Sequence, residues 1–394
     1  MTDSERLVVD LLDPELYRRN PHDVWAWMRA NEPVYRDHRN GLWAVTRHAD
    51  LMEVERRSSV FVSGQGYRAI WSPEEINMIA QDDPRHRQQR SLVQHFFTRA
   101  AVADRQAELT TLATELLDAV VGDGEMEVVG ALSGQLPARL TCRLLGYPES
   151  MWAEVKGWSE RLMRIDMRER DGATFTDFFD ANMEFATALG EVAKERIGCP
   201  AHDLISTWLH GRIDDAPLSP EAIVHETGLF ISGGAETTRT AISHGLRAFC
   251  DHPAQWDALA DDPTLVPGAV EEVLRWVTPL NQMFRRAVAD DHIGDQPVRR
   301  GDRVLLLYPS ANRDEAVFAD PFTFDIRRSP NPQIAFGFGT HLCLGINLAR
   351  ATLATVFTEL PRRITNLRAI TEPDVEPNVF ARAVRSFRLG FDVR

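Results

Sequence analysis

Residues 336–345 read Phe336-Gly337-Phe338-Gly339-Thr340-His341-Leu342-Cys343-Leu344-Gly345. Three glycines in these ten residues make a tight loop whose backbone can approach a ligand closely. Cys343 ends the loop just before the helical stretch Ile346-Asn347-Leu348-Ala349-Arg350. A thiolate there would feel the positive end of the helix and nearby backbone donors, both of which favour the charged form. A lone cysteine is more often a small buried hydrophobe. The flanking pattern argues for a ligand.

Pro and Gly thicken after residue 278, so the last third of the chain reads as irregular segments and short strands leading into this loop. Leu42–Thr46 and Arg303–Leu307 have strand character, the latter after the turn Arg299-Arg300-Gly301-Asp302. Most of residues 85–260 reads as helix, with apolar residues at helical spacing in Ala103–Val121 and Phe175–Ile197.

A long helix is expected from Ser219-Pro220-Glu221, which supplies a capping hydroxyl, a proline at the first helical position and an acid in the first turn. It runs to Asp251-His252-Pro253, about 30 residues or roughly 45 Å. Gly233-Gly234-Ala235-Glu236-Thr237-Thr238 sits in its middle. Two glycines there cost about 2 kcal/mol against alanine. Close helix packing would explain them. The sharper expectation is a large flat group lying on the helix, with a local distortion that exposes Glu236 and Thr237.

The chain has 394 residues, 44% hydrophobic and 26% charged, with a net charge of −14. Such a composition builds a large globular core, and the acidic balance argues against a nucleic-acid partner. The charged N-terminal stretch has neither a signal-peptide core nor a spanning helix, so no membrane anchor is expected. Cys142, Cys199, Cys250 and Cys343 are scattered, which suggests neither disulfides nor zinc and points to a reduced, cytoplasmic setting. No repeat or linker divides the sequence, so residues 1–394 are read as one domain, mainly α with small β-sheets.

Phe-x-x-Gly-x-His-x-Cys-x-Gly over residues 336–345 resembles the haem-ligand signature of the cytochrome P450 family. Glu272-Val273-Leu274-Arg275 looks like that family's Glu-x-x-Arg pair; alone, this spacing is more often a surface ion pair. Gly233–Thr237 resembles the oxygen-activating stretch of the central helix. Asn312-Arg313-Asp314 and Phe318-Ala319-Asp320-Pro321 look like the approach to the cysteine loop. The resemblance runs from about residue 13 to the C-terminus. It implies the cytochrome P450 fold, an α-rich triangular prism with haem b between the long central helix and the cysteine loop.

It also implies roles. Cys343 would be the axial thiolate of the iron, donating electron density that favours O–O cleavage. His86, Arg90, Arg285 and His341 would meet the two haem propionates; Arg286 is read as a solvated charge. Gly233, Phe336 and Gly345 would border the haem. Thr237 and Glu236 resemble the alcohol–acid pair that delivers protons at the iron. Many relatives have Asp where Glu236 stands, which leaves its reach and pKa less defined.

Substrate contacts would come from Tyr67–Ile79, Met163–Met167, Leu229 and Gly233, Leu280–Phe284 and Val379-Phe380. Several stretches look most like actinobacterial enzymes that hydroxylate sterol side chains and branched lipids, with terpenoid or polyketide tailoring as the competitor. The expected partners are a small apolar substrate, a ferredoxin and its reductase, with the chain itself a monomer. Arg85, Arg87, Arg99 and Arg350 would form the ferredoxin patch. A haem sensor or carrier, or a peroxygenase, would keep the same thiolate; the Glu236–Thr237 pair argues for a monooxygenase.

Overall fold

The computed structural model describes residues 7–19, 21–70, 73–164 and 172–394. The helices that build the site are α1 (His48–Arg56), α2 (Arg85–Val93), α3 (Gln135–Leu145), α4 (Trp152–Met163), α5 (Pro220–Asp251), α6 (Val266–Val277), α7 (Tyr308–Ala311) and α8 (Ile346–Glu359). The expected helix over 103–121 is two pieces, Arg99–Asp104 and Gln106–Asp118; that over 175–197 is one, Gly172–Gly198.

The central helix α5 forms as the sequence dictates. Ser219 Oγ accepts from the Ala222 amide at 3.2 Å, Pro220 opens the first turn, and 32 residues follow without interruption. At 1.5 Å per residue that is about 48 Å. Its buried side packs on α3, α4 and α6. One expectation fails: α5 is continuously α-helical through 233–238, and Glu236 is buried.

The two glycines divide the alternative explanations between them. A Cβ on Gly234 would meet Thr141 Oγ1 of α3 at 2.8 Å, so that glycine serves close packing; a Cβ on Gly233 would meet nothing within 4 Å. In the apoprotein Gly233→Ala is therefore expected to raise stability by up to about 1 kcal/mol through helix propensity alone. Gly234→Ala should lower it, because Thr141 is held by Pro137 O at 2.8 Å. Urea unfolding of the two variants reads the difference.

One sheet has β1 (Val34–Asp37), β2 (Leu42–Val45), β3 (Phe61–Val62), β4 (Met283–Ala287) and β5 (Arg303–Leu306), in the order β1-β2-β5-β4-β3. The two strands expected from sequence, β2 and β5, pair parallel with Arg303 opposite Leu42, although 261 positions separate those partners. β4 lies antiparallel to β5, with Phe284 opposite Leu305, and so carries Arg285 toward the interior. A three-stranded sheet places Arg388–Val393 between Ile364–Ala369 and Glu125–Glu127. The largest core cluster joins α5, α6 and α8 around Phe249, Trp256, Phe324 and Phe357.

Candidate active site: a cavity between the central helix and the cysteine loop

A cavity of about 280 Å³ lies between α5 and residues 335–345, with Gly233 and Thr237 on one wall and Cys343 on the other. The cysteine loop gets its shape from two left-handed glycines, Gly337 (φ +70°) and Gly339 (φ +72°). At Gly339 a Cβ would lie 2.5 Å from the Glu55 carbonyl of α1, so a side chain would be excluded by packing as well as strain. The Cys343 amide donates to Phe336 O at 3.0 Å, and α8 starts at Ile346.

The Cys343 thiol departs from the expected electrostatics. Its interior position pushes its pKa up; the Gly345 amide, Arg90 and Arg350 oppose this without overcoming it. The expected donors are present, but burial wins, so the free side chain is a thiol and a metal ion is what would hold it as a thiolate.

The structure brings together all four expected propionate contacts along the cavity wall: His86, Arg90, Arg285 and His341. They are not four cations. Burial, then the neighbouring Arg285, His86 and Arg90, drive His341 down to about 2. Burial also lowers His86, whose ring lies 4.3 Å from that of His341 and whose Nδ1 faces Asp83 Oδ1 at 3.3 Å. Both are neutral N–H donors near pH 7, which leaves Arg90 and Arg285 as the charges. Among the described residues Arg90 has no ion pair or side-chain hydrogen bond within the protein. Two guanidinium groups, two imidazoles, a cysteine floor and a glycine opposite fit a flat group with two carboxylates.

Arg285 is already held from behind. Its Nη1 donates to Phe284 O at 2.7 Å and its Nη2 to Glu55 Oε1 at 3.2 Å; Tyr308 OH donates to the same oxygen at 2.9 Å. Glu55 is nearly fully buried, and the motifs of the sequence do not point to it. A signal existed: it falls on the α1 face that buries His48, Leu51 and Val54, where a carboxylate is out of place.

Phe336 and Gly345 also border the cavity, and Arg350 sits over the Phe336 ring at 5.2 Å. Thr237 lines the cavity and its hydroxyl donates to Gly233 O at 2.9 Å. Glu236 does not line it. Its carboxylate turns the other way and is paired with Arg239, which donates from Nε at 3.1 Å and from Nη2. Arg239 Nη1 in turn reaches Glu160 of α4, and Lys156 Nζ lies 2.6 Å from Glu160 Oε1. The Glu236–Thr237 pair therefore straddles the helix. Burial raises the Glu236 carboxyl while Arg239 pulls it down.

Of the expected substrate regions, Tyr67, Met78, Ile79, Met163, Leu229, Leu280, Met283 and Phe380 line the cavity. Phe284 and Val379 belong to a separate core cluster. Residues 71–72 and 165–167 of those regions lie outside the described residues.

The segment before α2 is pinned to α5. The Ile76 amide donates to His225 Nδ1 at 3.1 Å and the Met78 amide to Glu226 Oε1 at 2.9 Å. Burial pushes Glu226 up to about 8, against the Met78 amide and Arg85. The folded protein thus holds a proton that the unfolded chain releases near 4.5. Stability contributed by this group falls as pH rises from about 4.5 through about 8. Glu226→Gln should raise the melting temperature at pH 8 and leave it nearly unchanged at pH 5 in differential scanning calorimetry.

Comparison with known proteins places this geometry. Residues 199–365 match the cytochrome P450 family model. The steroid C26-monooxygenase of Mycobacterium tuberculosis is 38% identical over 94% of this chain and 92% of its own. The methyl-branched lipid omega-hydroxylase of Mycobacterium bovis is 34% identical over 85% and 80%. A solved Mycobacterium marinum cytochrome P450, in complex with pseudoionone, superposes with a TM-score of 0.90 at 31% identity, covering 98% of this chain and all of that one.

Proposed function

Since the chain belongs to the cytochrome P450 family, we propose that it hydroxylates a sterol side chain or a methyl-branched lipid. It is a monooxygenase of that family and its cofactor is haem, with the iron held by a cysteine thiolate. When bound, the haem supplies the oxygen-activating centre. In the proposed reading Cys343 is the ligand, and Arg90, Arg285, His86 and His341 hold the carboxylates.

The observation that carries the substrate class is the apolar part of the cavity lining. Ile79, Met163, Leu229, Leu280, Met283 and Phe380 present an apolar surface suited to a hydrocarbon body. The relatives named for sterol and branched-lipid oxidation support the same class. The test is a panel of sterols, branched lipids and terpenoids, scored by the spectral shift that follows loss of the iron-bound water. Sterols or branched lipids should shift the spectrum at micromolar concentration and yield alcohols. A response confined to terpenoids would overturn the assignment.

Thr237 is proposed as the last proton donor on the cavity side, since its hydroxyl is the one that spans Gly233 O and the cavity. Glu236 is proposed to reload it from the far side of α5, where Lys156, Glu160 and Arg239 form a charged chain from half-exposed to buried positions. Thr237→Ala should lower product formation by about 10²-fold while substrate binding, read by the same spectral shift, is retained.

Electrons are proposed to come from a ferredoxin and its reductase. Of the four arginines proposed for docking, Arg87 is paired with Asp83 and Arg350 with Glu271. Arg85 is half-buried, and Arg99 is exposed. Among the described residues no helix is long and apolar enough to cross a membrane; a cytoplasmic monomer is the proposed state.

A further inference from the structure

The haem carboxylate proposed to sit on Arg285 would not have that guanidinium to itself. Glu55 occupies one edge of it from behind, at 3.2 Å, within a pocket closed by Tyr308 OH and the backbone of the cysteine loop. A charge count sharpens the point. Of the four residues proposed to meet the haem carboxylates two are cations, Arg90 and Arg285, because burial lowers both histidines; Arg68, also on the cavity lining, lies against the Tyr67 and Phe380 rings. Two haem carboxylates would balance them, and an ionised Glu55 would make a third anion.

We propose that Glu55 is a positioning residue that competes with a haem carboxylate for Arg285, so that its protonation governs how tightly haem is retained. The proposal rests on the assignment of Arg285 to a haem carboxylate. The groups facing Glu55 support it. Arg285 of β4 and Tyr308 of α7 stabilise its anion, as does the Phe338 amide, yet burial outweighs them and holds the carboxyl up at about 6. His341, on the turn that packs against α1, adds no charge. On α1 itself Arg56 lies over the Phe338 ring, while Arg57 is taken by Glu53 and by Asp291 of the neighbouring hairpin. A second carboxylate brought to Arg285 raises Glu55 further, by like-charge repulsion and by sharing its only cation. Its ionisation is thereby moved toward neutral pH.

The sign follows. Protonated Glu55 leaves Arg285 to the haem carboxylate, and ionised Glu55 repels that carboxylate and shares its partner. Haem should therefore be held more loosely as pH rises.

The experiment is transfer of haem from the loaded protein to excess apomyoglobin, followed by absorbance from about pH 5 to about pH 9. The wild-type rate should rise several-fold with pH. Glu55→Gln, which keeps the shape and the Tyr308 contact, should release haem slowly and without that rise. Tyr308→Phe removes a donor from the carboxylate, so the rise should move to higher pH. The same rise in Glu55→Gln, or faster release at every pH, would overturn the proposal; the latter is what a mere buttress for Arg285 would give. An unmoved midpoint in Tyr308→Phe would overturn it too, even if Glu55→Gln failed to fold. Arg285→Gln separates the underlying assignment: unchanged release there would show that Arg285 holds no haem carboxylate, whatever Glu55 does.

Discussion

Replacing Cys343 with alanine is expected to give a folded protein that cannot show the red-shifted Soret band of a thiolate-ligated ferrous carbonyl complex. The substitution is mild for the fold. Cys343 faces the cavity, and the bond that shapes its loop is made by its backbone amide to Phe336 O. The left-handed turns at Gly337 and Gly339 do not depend on the sulfur. Far-ultraviolet circular dichroism should therefore be unchanged. Hydroxylation should be lost entirely, because among the described residues no other cysteine borders the cavity. Cys142 is buried in the neighbouring core, where desolvation and nearby carboxylates raise its thiol to about 12. A red-shifted band that survived in Cys343→Ala would sink the ligand assignment.

What was legible in the sequence was local. The cysteine loop was readable because glycine spacing and the helix after it are set within ten residues. The central helix was readable because its cap, its proline and its period are all short-range signals. The propionate contacts came by resemblance, and the structure does gather them.

What escaped was decided by partners far along the chain. Glu55 meets Arg285 across 230 positions, and Glu160 meets Arg239 across 79. No periodicity encodes such a meeting. The orientation of Glu236 has a local cause instead. Adjacent helical residues point about 100° apart, so exposing Thr237 to the cavity turns Glu236 away from it. The charge of His86 and His341 is not legible in the sequence, because residue type fixes only the pKa of a solvated side chain, and burial decides which form survives inside.

The Glu272–Arg275 pair is the feature whose weight the sequence least revealed, and its removal should have the largest effect on the fold. An i, i+3 spacing is compatible with a surface contact, yet both side chains are fully buried and bonded at 2.8 and 2.7 Å. Arg275 also donates to Asn312 O, Pro321 O and Thr323 O, at 3.1, 2.8 and 3.0 Å. Glu272 accepts from the Asp325 amide, Asn331 and Arg328, at 2.8, 3.1 and 3.2 Å. Asn312, from the same segment, accepts from the Ile334 amide at 2.9 Å, at the entrance to the cysteine loop. The pair is thus the hub that fastens residues 312–334 to α6. Glu272→Ala leaves a guanidinium buried without its counter-ion, at a cost of about 3–5 kcal/mol, against a total stability of roughly 5–15 kcal/mol. Little haem-loaded protein should accumulate, and thermal unfolding of what does should begin far below the wild-type transition. Many buried ion pairs can be exchanged for apolar residues of similar volume without loss. This one should not tolerate the exchange. Glu272→Leu combined with Arg275→Met would strand two carbonyls, Asn312 O and Pro321 O, and three donors in the interior, each costing about 1–3 kcal/mol, while Thr323 O keeps Arg328 Nη2 at 2.8 Å. The double replacement is therefore expected to be no more stable than Glu272→Ala. A double variant that unfolds at the wild-type temperature would show that the pair contributes charge balance alone and does not anchor the loop.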